Sequence, residues 1–353
     1  LEQITPNSSL PEASNFPELQ TVLDEVRSGH SGGYEFIGQL ALRRTRKTQS
    51  GKEFLEIQLR DQSGILGWKV WGDSPAFIFF SRARVGDAVV VQGDLSWNEP
   101  YGLEARGLST RAASAEEKKA LFEIDQVELK KRQDELAQMI NSLADPRLQA
   151  LARQLVTDFG DRFHRAAAAH QNHHARRGGL AEHTLQMLRA GEALTTVYPE
   201  LNRDLLLTGI LFHDIGKLFE TCPPAEGFAI ERRLNGELLG HIAIGLEMVN
   251  SLWRKLPRED WRDRSPPSDE VRYHLLHLIA SHHGELEYGA PVKPKTPEAA
   301  ALHFIDNLDA RLEMFRTAIQ QGSQESPGIY EYCRPLGVSP VSPLPQIPPS
   351  QGG

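Results

Sequence analysis

The 353-residue sequence predicts a multidomain α and β protein, a five-stranded N-terminal β-barrel followed by an all-α helical bundle. Three observations predict it. Short, partly alternating runs separated by Gly-bearing turns fill Tyr34 to Arg111. From Pro146 onward, apolar residues recur at helical spacing in long segments. Between the two lies Ser114 to Met139, rich in Glu, Lys, Gln and Ala, as a linker helix would be.

Taken in order, residues 1–31 form a polar, Pro/Ser-containing segment with one short helix expected near Glu18 to Val26. The β domain is expected over 32–112. Its strands are Tyr34 to Leu42, the run holding Phe54, Ile57 and Leu59, Ile65 to Trp71, Ala88 to Leu95, and Leu103 to Leu108. Gln49-Ser50-Gly51-Lys52, Gln62-Ser63-Gly64, Val85-Gly86-Asp87 and Asn98 to Gly102 supply turns. Ser74 to Ala83, between strands three and four, fits the short helix of an OB-fold, a small barrel that binds nucleic-acid strands. The helical linker, broken near Asp125, spans 113–157 and the bundle 158–332. The tail, 333–353, holds many Pro, Ser and Gly residues and is expected to be disordered.

Composition narrows the function. Net charge is −8, so the chain is no polycation that coats nucleic acid. A nucleic-acid site must come from a local patch or a metal centre. The stretch Tyr34 to Arg111 carries 11 Lys+Arg against 9 Asp+Glu, a local +2. Two cysteines, Cys222 and Cys333, make no disulfide framework and suit a reducing compartment. No apolar run approaches the ~18–20 residues of a membrane span, and the first residues lack the pattern of a secretion signal. The expected setting is the cytoplasm, away from membrane.

The residues that suggest chemistry lie in the helical half. His213-Asp214-Ile215-Gly216-Lys217 ends the most apolar helical run, Leu205 to Phe212. Packing does not need adjacent His and Asp there, and a buried Asp is costly unless paired or metal-bound. His183 stands on an amphipathic segment after Gly178-Gly179. His241 follows Gly240, His282 and His283 end another helix, and Asp306 sits among Ala299, Leu302 and Ile305. Imidazole and carboxylate ligands without cysteine favour a hydrolytic centre holding Mn, Fe, Co, Ni or Zn over a structural zinc site. The donors exceed what one ion with open positions needs. Two divalent ions bridged by Asp214, about 3.5–4 Å apart, would use them in phosphoester hydrolysis.

His183, His213-Asp214 and Asp306 on successive helices match the H…HD…D pattern of the HD-domain metal-dependent phosphohydrolases. The match extends through Gly178 to Thr184, His213 to Lys217, Gly240 to Gly245, Ser281 to Gly289, and Pro294 to Ala299 followed by Asp306 to Ala310. Together these closely resemble the YhaM-type exoribonucleases, which also carry an OB-fold before an HD domain. The resemblance spans roughly Tyr34 to Met314. It implies a 3′-to-5′ exonuclease acting on single-stranded RNA, sometimes DNA, with manganese or cobalt support. It also implies His183, His213, Asp214 and Asp306 as ligands of a first ion. Asp214, His241 and one or both of His282 and His283 would serve a second.

Around these ligands, Asp214 and Lys217 are the expected catalytic pair, Lys217 reaching toward a phosphate one helical turn after His213. His174 and Arg177, in a loop with His173 and Arg176, and Lys293 and Lys295, in a Pro-restrained loop, are expected to line the substrate entrance. Asn307 and Asp309 flank the last ligand and suit groups that orient it. In the β domain, Arg43, Arg44, Arg46 and Lys47 with Trp68 and Trp71 are expected to hold the strand, since OB-folds stack bases on rings beside a basic groove. Trp68 and Trp71 have opposite parity on one strand, so they face opposite sides. The competing readings are an HD-type nucleotidase or cyclic-nucleotide phosphodiesterase, and a strand-binding adaptor with an inactive bundle. A homo-oligomer enclosing the strand is compatible with the sequence, but no interface signature stands out.

Overall fold

The computed structural model describes residues 16–48, 50–98, 102–123, 125–169, 176–223, 227–228, 233–322 and 324–345. The chain divides into two compact units, Leu1–Gln126 with Pro223–Ala229, and Val127–Cys222 with Ile230–Gly353.

The first unit runs α1 (Leu19–Arg27), β1 (Gly32–Lys47), β2 (Glu53–Arg60), β3 (Ile65–Trp71), α2 (Pro75–Arg82), β4 (Ala88–Asn98), β5 (Gly102–Ala112) and α3 (Ala115–Phe122). The five strands form one antiparallel sheet in the order β3-β2-β1-β4-β5. β1 is long enough to pair twice. Gly32 to Gln39 lie along β4, and Gln39 to Lys47 along β2, with a bulge between Leu40 and Leu42. Strand alternation sends Leu55, Ile57, Leu59, Leu66, Trp68 and Val70 into the core.

The expected barrel is not closed. β3 and β5 come into contact but exchange no ladder hydrogen bonds. Side chains fill the gap instead. α2 packs against both edge strands with Ala76 and Phe80 buried. α1, the short helix expected from sequence, buries Leu19, Val22 and Val26 in the same core. Asp61 Oδ2 fixes its start by accepting from the Leu19 N–H at 2.8 Å. Within this unit Phe228 is buried among Ile37, Ala88, Val90 and Leu121, and its N–H donates to Gln39 Oε1 at 2.7 Å.

The second unit comprises α4 (Gln126–Ser142), α5 (Pro146–Phe163), α6 (Gly179–Val197), α7 (Arg203–Phe212), α8 (Lys217–Glu220), α9 (Leu234–Arg254), α10 (Ser268–Ser281) and α11 (Pro297–Gln321), then the hairpin β6 (Gln324–Ser326) and β7 (Ile329–Tyr330). The expected linker break is real, since α3 and α4 are separate helices. α7 is the hub. Every residue from Leu205 to Phe212 is buried, and α5, α6, α10 and α11 pack on it. Sequence signals set the helix starts. Asp145 and Asn202 cap α5 and α7, and Thr296 with Pro297 opens α11.

The tail differs from expectation where it is described. Cys333 bridges Val338 and Ile329 bridges Val341, while Tyr330 and Leu336 are buried. Leu336 is buried in the turn between Cys333 and Val338, and the Tyr330 N–H donates to the Pro340 carbonyl at 2.8 Å. Among the described residues, no helix is long and apolar enough to cross a membrane.

Candidate metal centre

The buried hub helix α7 delivers His213 and Asp214 at its C-terminal end, both nearly inaccessible. α6 brings His183 alongside, α11 brings Asp306, α9 brings His241, and the end of α10 brings His282 and His283. The donors His183, His213 and Asp214 form one group and His241, His282 and His283 another, each with ligating atoms within 4.8 Å of one another.

Asp214 stands between the groups. Its Oδ2 lies 3.1 Å from His213 Nε2 and 3.9 Å from His183 Nε2. Its Oδ1 lies 3.3 Å from His241 Nε2 and 3.7 Å from His282 Nε2. Asp306 Oδ1 completes the first group, 3.2 Å from His183 Nε2 and 4.0 Å from His213 Nε2.

Hydrogen bonds on the far side of each ring fix where the lone pairs point. His213 Nδ1 donates to the Ile210 carbonyl, His282 Nδ1 to the Ile279 carbonyl and His283 Nδ1 to the Tyr288 carbonyl, each at 2.7 Å. A carbonyl only accepts, so Nδ1 carries the proton and Nε2 of the neutral ring is a bare lone pair aimed inward. His183 Nδ1 meets Asp309 Oδ2 at 2.6 Å, and His241 Nδ1 faces Glu220 Oε2 at 3.3 Å. The inward Nε2 atoms of His213, His241 and His282, and Asp214 Oδ1, are buried without a hydrogen-bond partner. Leaving so many buried acceptors unsatisfied costs roughly 1–3 kcal/mol each. Divalent cations are the partners that fit such donors, and the backbone and carboxylate bonds behind the rings are the usual support for metal-bound imidazole.

Electrostatics agree. Burial works against ionisation of Asp214 and Asp306, but Lys217, then the neighbouring His213, hold the Asp214 carboxyl well below the ordinary range, and the hydrogen bond to His183 lowers Asp306. Burial pushes His282 well below its ordinary value, and the neighbouring His213 adds to this. His183 resists the same burial, and hydrogen bonds to Asp306 and Asp309 raise it to about 9. Without a metal, His183 therefore favours its protonated form, while burial favours the neutral form of His282 and His283.

Two glycines let the helices meet. A Cβ on Gly216 would sit 1.9 Å from the His241 carbonyl oxygen, so only glycine allows the His213–Lys217 turn to press against α9. Gly240, at φ 69° and ψ 159°, breaks α9 just before His241 and turns that ring into the centre.

The structure brings all seven expected ligands together: His183, His213, Asp214, His241, His282, His283 and Asp306. Lys217 joins them, its Nζ 2.6 Å from Asp214 Oδ2. Asp309, expected to orient its neighbour Asp306, instead holds His183. Lys293 and Lys295 are exposed; Lys293 pairs with Glu285 at 2.6 Å, and the Lys295 N–H donates to His277 Nε2 at 2.9 Å. Arg177 is half-buried at the start of α6. His174 lies outside the described residues.

In the sheet, two expectations need correction. Trp68 is 4% exposed, packed edge-on against Phe36 and Phe80, and offers no face to a strand. Arg43 donates to the Ser81 and Ala83 carbonyls at 2.6 and 2.8 Å, which terminates α2 rather than facing substrate. Arg44, Arg46 and Lys47 are exposed, and Arg46 pairs with Glu56 at 3.3 Å. Trp71 is half-exposed beside Phe54, centroids 5.2 Å apart, with Lys52 and Lys69 over the two rings.

The roles of three groups escaped the sequence reading. Glu220 supports His241, but an acid in a helix end is ordinary. His303 Nδ1 donates to the His282 carbonyl at 2.9 Å. Arg176 bridges Glu182 and Glu313, 2.8 Å from each, a structural role in place of one at the substrate entrance. No local pattern announces contacts made across such separations.

Residues 180–311 match the HD domain family, so this part of the chain carries an HD domain, which supports a metal-dependent phosphohydrolase. Among solved structures, the chain is similar to asparaginyl-tRNA synthetase from Pyrococcus horikoshii, alone and complexed with asparaginyl-adenylate. Both comparisons give 16% identity over 41% of this chain, with a TM-score of 0.22. The chain spans 35–36% of the length of those synthetases. A likeness that low carries no argument about fold or activity.

Proposed function

We propose that the protein is a metal-dependent 3′-to-5′ exoribonuclease that hydrolyses single-stranded RNA to 5′-mononucleotides, with an OB-type sheet unit holding the strand. The observation that carries the hydrolytic part is Asp214, set between two groups of inward histidine lone pairs. His183, His213, Asp214 and Asp306 would hold one ion, and Asp214, His241, His282 and His283 a second, with manganese the first candidate. When bound, such ions activate water and neutralise charge on a phosphoryl group.

The chain's own residues do the rest. Asp309, Glu220 and the Ile210, Ile279 and Tyr288 carbonyls orient the imidazoles. Lys217 is held by Asp214 with its ammonium in the centre, where it can bind a phosphate oxygen and offset developing charge. A nucleic-acid substrate is favoured by the outer sheet face, where Phe54 and Trp71 stand among Arg44, Arg46, Lys52 and Lys69. Rings flanked by cations suit stacked bases and backbone phosphates.

The test is incubation of metal-stripped protein with 5′-labelled single-stranded RNA, with and without Mn²⁺. A ladder shortening from the 3′ end only with metal supports the proposal. Intact RNA with every metal tried rejects it in favour of a nucleotidase or cyclic-nucleotide phosphodiesterase. Trp71→Ala should weaken RNA binding by about 1–3 kcal/mol per lost stack without changing metal content.

A further inference from the structure

The metal centre leaves a histidine of α10 unused. His277 stands on α10 six residues before His283, ~9 Å at the rise of a helix. It is half-buried, and its Nε2 accepts from the N–H of exposed Lys295 at 2.9 Å. An amide N–H only donates, so the neutral ring keeps its proton on Nδ1 and turns a lone pair to the loop. The bond fixes the residue just before Thr296, whose side chain caps α11, the helix that carries Asp306.

Two lysines share this loop, and they are not equivalent. Lys293 Nζ lies 2.6 Å from Glu285 Oε2, and the pairing holds the Glu285 carboxyl below its ordinary range. Glu285 follows His283-Gly284 directly, in the turn whose Tyr288 carbonyl accepts from His283 Nδ1. The ion pair therefore fastens the loop beside a candidate ligand and matches the charge of Lys293. Among the described residues, no carboxylate pairs with Lys295. Its ammonium, on a flexible stem, is the charge this loop has to offer. With one fastening at Glu285 and the other on the helix that presents His282 and His283, that charge stands beside the centre. A strand whose end lies at the metals carries further phosphates for such a cation to meet.

We propose that His277 is a positioning residue for the substrate: by fixing the Lys295 amide it sets the Lys295 ammonium, rather than that of Lys293, to hold a backbone phosphate of the strand. The strand rests on the exoribonuclease reading; the hydrogen bond does not. The bond requires a neutral ring. Burial, then Lys295 on the facing loop and His274 on the same helix, holds His277 below its ordinary value. The bond is therefore present at neutral pH. It is lost as pH falls through the value of the ring, when Nε2 gains a proton and faces another N–H.

The experiment uses the full chain, ¹⁵N-labelled at lysine and histidine and stripped of metal, so that RNA is bound without being cut. Lys295→Gln assigns the Lys295 amide. Between about pH 8 and about pH 5 that amide should move with the same midpoint as the His277 ring. His277→Gln keeps an acceptor but cannot titrate, so its Lys295 amide should stay put. Binding of a single-stranded RNA oligonucleotide at neutral pH is then followed against salt. Lys295→Gln should cut the log–log slope by ~0.7, one phosphate contact on a single strand. His277→Leu, which releases the loop, should do the same, and His277→Gln should restore the native slope. Lys293→Gln, whose charge Glu285 already matches, should change it less. A Lys295 amide that ignores the His277 titration, or a native slope in both Lys295→Gln and His277→Leu, overturns the proposal. An equal or larger change in Lys293→Gln overturns the choice of lysine. Cutting is read separately with Mn²⁺. Uncut RNA with both readouts as expected would refute the exonuclease reading alone, and cut RNA with a native slope in both variants would refute this proposal alone.

Discussion

The two ligand groups share Asp214 but are built differently. The first, His183, His213 and Asp306, pairs imidazoles with carboxylates deep in the helical unit; the His183 and His213 side chains are fully buried. The second, His241, His282 and His283, relies on imidazole, and His241 retains 15% side-chain exposure. Rigid packing around α7 fixes the first. A kink at Gly240 and two turns, after His213 and after Ser281, fix the second. If each group holds an ion, as proposed, the first should hold it more tightly and the second exchange more readily.

Removing the shared carboxylate should have the largest effect, because it erases the comparison. Asp214→Asn keeps the side-chain shape but removes the charge that faces both groups. Elemental analysis should find both ions lost and hydrolysis abolished, with far-UV circular dichroism unchanged. One full equivalent of retained metal would show that the groups do not depend on this residue.

Gly216→Ala comes next and should separate the groups. The added methyl meets the His241 carbonyl at 1.9 Å, so α9 must shift away from the turn. We expect a stability loss of about 1–3 kcal/mol, visible as a lower melting temperature. Metal content should fall toward one ion, with the first group spared. Equal loss from both groups would mean that His241 and His213 move as one body.

The candidate ligands were legible in the sequence because metal chemistry demands particular residue types, and adjacent His213 and Asp214 at the end of an apolar run are not needed for packing. Asp309 was legible as a supporting group beside Asp306, but its true partner, His183 on another helix, was not. Trp68 and Trp71 were legible only as opposites. Alternation says that one ring is inside, but the register with Ile57 and Phe54 decides which. Barrel closure was not legible, because it depends on two edge strands meeting far apart in sequence. Glu220 and Arg176 were hidden for the same reason: their roles lie in partners on other helices.

Glu220 and Asp309 offer a matched pair of smaller perturbations. Asp309→Asn removes the charge behind His183, and Glu220→Gln removes the one facing His241 Nδ1. Supporting groups of this kind are worth about 10–100-fold in metal affinity. Calorimetric titration with Mn²⁺ should show Asp309→Asn weakening the tighter event and Glu220→Gln the weaker one. The opposite assignment would invert the ranking of the two groups.

Arg176→Gln should have the smallest effect and should touch the first group alone. Its guanidinium joins Glu182, next to His183 on α6, to Glu313, one turn beyond Asp309 on α11. It therefore ties together the two helices that supply His183, Asp306 and Asp309. The side chain of Arg176 is 34% exposed, so solvent screens the pair and its direct contribution is about 1 kcal/mol at most. Glu313 is buried but keeps Arg316 as a second cation, which limits the cost of losing the first. The expected result is a few-fold loss of affinity in the tighter Mn²⁺ event, the weaker event unchanged, and partial recovery in Arg176→Lys. If both events weaken equally, the clamp stabilises the whole helical unit and does not position one ligand group.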